Sequence, residues 1–328
     1  MHNILPLVNP PIETYQGCSF ILSVLLAYEN TENVYYNNYI NLECNNTDSF
    51  CNIDLNFTDV LWENYLLSGV AEMNLYHLKN IHRDYFVNFI KERIDQGNYL
   101  IFYSIDEYHL SYTTHYNHEH HLHDTYLYGY EDESFCVMAY KGGKLSKFNV
   151  PIWEILTGMY CQMSSNTDVS FCTFRPSHAA NEVVNLSQMQ KLFCDYYYSN
   201  YLGKKITTKI YGISTYDVLM KCIDKTISDR IKTLNIDLRP FRLFWEHKKV
   251  LKDHIEKIKE YIQLNYNISI MIIEIEKMAD IIFKLIIKYS ITKNSSLLKR
   301  VIIYLMQLRK EEEKFFYLLL DELSKNRI

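Results

Sequence analysis

Hydrophobic and polar positions divide the chain into a mixed first half and a helical second half. After a Pro-rich entry (Pro6, Pro10, Pro11), residues 18–28 read CSFILSVLLAY. Apolar residues fall nearly all round this segment, which predicts a buried helix rather than an amphipathic one. Residues 82–96 carry Phe86, Phe89, Ile90 and Ile94 at helical spacing, and Gly97 follows as a C-cap. NYLIFYSID (98–106) is aromatic and β-branched and predicts a strand. HDTYLYGY (123–130) and SFCVMAY (134–140) predict two more, with a turn at KGG (141–143). On the first of these, strict alternation puts His123, Thr125 and Leu127 on one face, and Tyr126, Tyr128 and Tyr130 on the other.

Beyond Pro176 the spacing becomes helical to the end, over 185–202, 212–235, 237–264, 268–292 and 294–326. Pro240 fits the first turn of its helix. The charges of the segment DLRPFRLFWEHKKVLKDHIEKIKEYI are expected on a solvated face. The apolar stripes Ile272, Ile275, Ala279, Ile282 and Phe315, Phe316, Leu319 are expected to pack within the chain, a homodimer interface being the alternative. The resulting expectation is an α+β unit over 1–175 and an all-helical unit over 176–328 that packs on or caps a cleft.

Composition narrows the chemistry. The 328 residues include 29 Tyr but only 9 Gly, where average usage would give roughly two dozen glycines. There is no GxGxxG or Walker A string, so nucleotide binding through such loops is not expected. The net charge of -5 disfavours nucleic acid as a partner. The first residues lack the basic segment of a secretory signal, and no apolar run is long enough to span a bilayer. A cytoplasmic location follows as the expectation, with the eight cysteines, which include no CxxC, mostly reduced.

Cys18 stands where the apolar helix begins. Unpaired N–H groups and the positive end of the helix dipole favour a thiolate there, and the thiolate is the nucleophile. Cys136 lies mid-strand, Cys194 and Cys222 in helices, and Cys44 and Cys51 in a polar loop; none has that setting. Five histidines (115, 118, 120, 121 and 123) fall within nine residues. Such a cluster can bind metal, but it has no HExxH and lies in a loop, so no metal ligand is assigned. The alternative takes one histidine at a strand start, facing the cysteine at a helix start, as in nucleophilic catalysis. His123 fits that position, and His121, with the same parity, is its rival.

Taken in order, QGCSFILSVLLAY, IFYSIDEYHLSY, HDTYLYGYEDESFCVMAY, YGISTYDVLMKCI and DLRPFRLFWEHKKVL resemble the family of the butirosin biosynthesis protein H N-terminal domain, which is similar to papain-like cysteine peptidases. The resemblance implies a papain-like fold in the first unit. It also implies ATP-independent acyl transfer from a carrier-protein phosphopantetheine thioester to a small amine, as in natural-product assembly of the polythioamide kind. By the same resemblance Cys18 is the nucleophile and His123, six residues before Gly129, the base. No cofactor is implied. The family pattern places an Asp or Asn where this chain has Ala139 or Tyr140, so Asp106 is the candidate third member. It places the oxyanion Gln where this chain has Ile12, so Gln16 is the candidate donor. Tyr103, Tyr108, Tyr112, Tyr126 and Tyr128 would stand near the cleft. A hydrolase with the same dyad, either peptidase or thioesterase, and a non-catalytic metal- or ligand-binding protein are the competing readings.

Overall fold

The computed structural model describes residues 2–45, 53–58, 69–163, 170–203, 209–228 and 236–326. It is an α+β protein with a largely helical C-terminal region. Two compact units divide the chain: residues 1–32 with 61–182, and residues 33–60 with 183–328. The expected boundary at 175/176 therefore moves a few residues on, and the second unit also recruits an early segment.

The first unit is built on one antiparallel sheet. Its strands are β4 (Ala71–His77), β9 (Ser170–Pro176), β5 (Tyr99–Asp106), β6 (Leu122–Glu131), β7 (Ser134–Lys141) and β8 (Lys144–Pro151), in that spatial order, with β1 (His2–Ile4) paired to β6. One face packs on α3 (Arg83–Asp95) and α4 (Ile152–Met163). There Phe86, Ile90, Phe102, Leu127, Ile155 and Phe171 form a fully buried core. The expected C-cap of α3 is a Schellman arrangement: the Gly97 and Asn98 N–H groups return to Ile94 and Arg93 carbonyls, with Gly97 at φ +81°. The opposite face carries α1 (Gln16–Leu25) against β6, β7 and β9. Phe20, Leu22, Val24 and Leu25 of α1 are all fully buried. Its two serines avoid unsatisfied burial by donating to carbonyls one turn back, Ser19 to Tyr15 and Ser23 to Ser19.

Strict alternation on β6 fails at one point. The β6–β7 register shifts between Leu127 and Gly129. This bulge turns Tyr130 onto the Leu127 face, where it joins the core instead of sharing a face with Tyr126. Gly129 is required because β1 passes over it: a Cβ there would lie 2.6 Å from the Asn3 carbonyl oxygen. The β7–β8 turn falls at Gly142 and Gly143, both with positive φ, as a two-residue hairpin requires.

In the second unit, β2 (Leu42–Asn45), β3 (Leu55–Phe57) and β10 (Lys209–Tyr211) form a three-stranded antiparallel sheet. The C-terminal region is thus not all helix, because β10 pairs with β2 of the early segment. Cys44 lies on β2 and is buried rather than looped; Cys51 lies outside the described residues. The helices are α2 (Val34–Asn38), α5 (Leu186–Tyr198), α6 (Thr215–Ser228), α7 (Arg239–Ile258), α8 (Tyr266–Thr292) and α9 (Ser295–Lys325). Residues 229–235 of the expected 212–235 helix lie outside the described residues. The stripes Ile272, Ile275, Ala279, Ile282 and Phe315, Phe316, Leu319 are buried within the chain. One expectation about charge is corrected here. Lys248 of α7 and Glu312 of α9 are fully buried, with Lys248 Nζ 2.7 Å from Glu312 Oε1 and 2.9 Å from the Tyr196 hydroxyl. Tyr216 donates to the same carboxylate at 2.5 Å. Among the described residues, no helix is long and apolar enough to cross a membrane.

Candidate active site

Cys18 is the third residue of α1, as its sequence position implies. Its electrostatic setting differs from the expectation. Burial pushes the thiol pKa up, and the hydrogen bond from its own backbone N–H only partly offsets this. Burial thus works against the thiolate that the helix start would favour. Tyr126 is a polar neighbour of the helix start: its hydroxyl lies 2.9 Å from where a Cβ on Gly17 would stand. The Tyr126 hydroxyl donates to Asp124 (3.3 Å), and Tyr103 on the same face pairs with the Cys172 sulfur at 3.2 Å.

His123 is the second residue of β6, on the face that carries Leu127 rather than the face that carries Tyr126 and α1. It makes no hydrogen bond with Cys18 among the described residues. Its Nδ1 lies 3.5 Å from Oε1 of Glu107, the first residue of a short 3-10 helix, Glu107–His109. Asp106, expected to orient His123, is directed elsewhere. Its buried carboxylate meets His120 Nδ1 at 2.7 Å, accepts from the Tyr108 N–H at 3.1 Å and from the Cys161 thiol at 3.6 Å. Burial alone would raise this carboxyl; the His120 and Tyr108 hydrogen bonds outweigh it and hold the pKa below the usual value. The reason is local: Asp106 caps the 3-10 helix that follows, and its carboxylate turns to the Tyr108 N–H and to Cys161 of α4. Asp106 ends β5 opposite Leu122, and the next residue, Glu107, is the one that comes round to the His123 side.

The helix that carries Cys18 reaches a cavity lined by His123 through its first residue, Gln16; Cys18 itself is not among the lining residues. A pocket of about 320 Å³ at the end of the sheet is lined by Gln16, Glu107, Tyr112, His115, His121, His123, Ala139, Tyr140 and the Gly142–Gly143 turn, together with Thr113 and Thr114. Gln16 opens α1 two residues ahead of Cys18, and its amide donates to the Met138 carbonyl at 3.3 Å. Ala139, where the resemblance implies an acid, does line this pocket, and Glu107 stands across it. Of the five tyrosines singled out from the sequence, Tyr112 lines the pocket. Tyr103 and Tyr126 belong to the α1 face, and Tyr108 stacks on His120 with centroids 4.4 Å apart.

Among the described residues, two groups of side chains could hold a metal ion. Ligand atoms of Glu107, His115 and His121 lie within 4.8 Å of one another, as do those of Asp106, His109 and Cys161. Sequence reasoning passed over Glu107 and Cys161. The readable signal for Glu107 was the acidic doublet closing a strand, since alternation sends neighbouring carboxylates to opposite sides. No protein-family model matches the chain, and no curated protein matches it.

Proposed function

We propose that the chain is a cysteine-dependent acyltransferase of papain-like type that forms an amide from a carrier-protein thioester and a small amine. The observation that carries this reading is the shared cavity: Gln16, at the head of the Cys18 helix, lines the same pocket as His123 and its carboxylate partner Glu107. In this reading the Cys18 sulfur attacks the thioester carbonyl and its proton goes to His123, a transfer that requires His123 or the head of α1 to move, since the two lie on opposite faces of the sheet and make no hydrogen bond among the described residues. This general-base route suits a thiol whose pKa burial has raised. The bond to the phosphopantetheine sulfur breaks, His123 returns the proton to that leaving thiolate, and an acyl-Cys18 remains. The amine then attacks the acyl carbon, His123 accepts its proton and passes it to the departing Cys18 sulfur, which leaves as the thiol. Glu107 holds the His123 ring through Nδ1, in the place that Asp106 was expected to fill. The thioester supplies the free energy, so no nucleotide is consumed. Carrier protein and amine are the partners that this chemistry requires.

The test is intact-mass analysis after exposure to an acyl-loaded carrier protein, followed by amine. Wild type should gain the acyl mass on Cys18 and release amide without ATP; Cys18→Ala should do neither. Full amide formation by Cys18→Ala would overturn the reading. Release of free acid alone, at high amine concentration, would make the protein a hydrolase.

A further inference from the structure

The histidine-rich loop between β5 and β6 is more ordered than its polar composition suggests, and its backbone hydrogen bonds converge on Glu107. The Glu107 N–H donates to the His121 carbonyl at 2.8 Å, and the Thr113 hydroxyl donates to the Glu107 carbonyl at 3.0 Å. The N–H groups of His118 and Glu119 both return to the His115 carbonyl, at 3.0 and 3.1 Å. These bonds place His115 and His121 beside the Glu107 carboxylate, with their rings stacked at 4.3 Å between centroids.

The side chains are arranged by role as well as by proximity. His115 directs Nε2 towards Glu107 Oε2, 3.8 Å away, and Nδ1 towards Glu119 Oε2, 3.5 Å away. A ring with one nitrogen in a ligand cluster and the other on a carboxylate has the outer support typical of metal-bound histidine. Glu107 divides its oxygens likewise: Oε1 faces His123 and Oε2 faces His115. No lysine or arginine pairs with Glu107 or Glu119 among the described residues. All three donor-bearing residues line the 320 Å³ cavity, which leaves room for water or a substrate oxygen beside them.

We propose that Glu107, His115 and His121 bind one divalent ion of the zinc class, with an open coordination position facing the cavity. Two imidazoles and one carboxylate with an open position make the donor set of catalytic zinc sites, and nitrogen donors disfavour Mg²⁺ and Ca²⁺. Donor atoms on a tetrahedral zinc stand about 3.3 Å apart, so the set closes by an ångström or so on binding. The partly exposed histidines can make that movement. The neighbouring set of Asp106, His109 and Cys161 is the competitor, but its carboxylate is already bonded to His120 and it does not line the cavity. The metal site does not depend on acyl transfer at Cys18, and its test uses no activity.

Full-length protein purified without a histidine tag and stripped with chelator would be titrated calorimetrically with Zn²⁺. Wild type should bind one ion per chain and show no heat with Mg²⁺. His115→Ala and His121→Ala should each weaken binding more than about 100-fold, and Glu119→Gln by about 10–100-fold as an outer-shell change. His118→Ala and His109→Ala should leave it unchanged. In wild type, Zn²⁺ should also protect His115 and His121, but not His118, from diethylpyrocarbonate, as read by peptide mass. That measurement stands even if a variant misfolds. Substoichiometric binding, binding untouched by both His115→Ala and His121→Ala in chains with wild-type circular dichroism, or loss in Cys161→Ala would overturn the proposal.

Discussion

At the residue scale, two forces compete at Cys18: the helix start favours the anion and burial disfavours it, and burial wins. Alkylation of Cys18 by iodoacetamide should therefore reach half-maximal rate at a higher pH than a free thiol, which peptide-resolved mass spectrometry would measure. The same scale separates the two adjacent acids. If Glu107 orients His123, Glu107→Gln should lower kcat/KM for acyl transfer by about 10²–10⁴, the range for losing the group that orients a catalytic histidine. Asp106→Asn should cost much less in turnover and show mainly in stability, because its carboxylate serves His120, Tyr108 and Cys161. Equal kinetic losses in the two variants would refute this division. The sequence placed Cys18 at a helix start and His123 at a strand start, and the structure has both there. That Glu107 rather than Asp106 lies beside His123 was not legible, because which carboxylate of a doublet turns towards a neighbour depends on where the strand ends.

At the element scale, the periodicities that were long and regular translated directly: α1, α3, β5, β6, β7 and the long helices fall within a few residues of their sequence positions. β1, β4, β8, β9 and β10 were not read. Some are only three residues long, and all but β8, which pairs with β7 across the Gly142–Gly143 turn, are held by partners far away in sequence, as β9 is by both β4 and β5. Gly129 shows a local choice made by a distant strand. Gly129→Ala would push a methyl into the β1 backbone, with Asn3 O at 2.6 Å and Ile4 Cα at 2.9 Å. It should destabilise the first unit by about 1–3 kcal/mol, the usual cost of overpacking, as read from the urea midpoint. Gly17→Ala meets only the end of the Tyr126 side chain, which can move, and should cost less.

At the scale of the whole molecule, buried charge in the second unit decides more than surface charge. Lys248 and Glu312 lie 64 residues apart in sequence and meet with no exposure to water. Lys248→Met should destabilise by about 3–5 kcal/mol by leaving Glu312 uncompensated, whereas Lys248→Met with Glu312→Leu should recover most of that loss; chemical denaturation of the three proteins would check it. Acid sensitivity follows from His254, fully buried in α7, whose pKa burial pushes down to about 4. The unfolded chain takes up this proton near pH 6.5. The contribution of His254 to stability is thus full above about pH 6.5 and falls by about 3 kcal/mol between there and pH 4; His254→Gln should make the slope shallower, the remainder coming from groups such as His247, whose pKa burial also lowers. The sequence by itself determined the α+β character, the helical C-terminal region, the placing of Cys18 at a helix start and the exclusion of Gly-rich phosphate loops. These follow from periodicity and composition, which are local. Only tertiary structure decided that residues 33–60 join the second unit, that Lys248 and Glu312 are core, that Tyr130 changes face at a bulge, and that Glu107 rather than Asp106 meets His123. Each of these depends on which distant segment packs against a residue, and no local pattern encodes that.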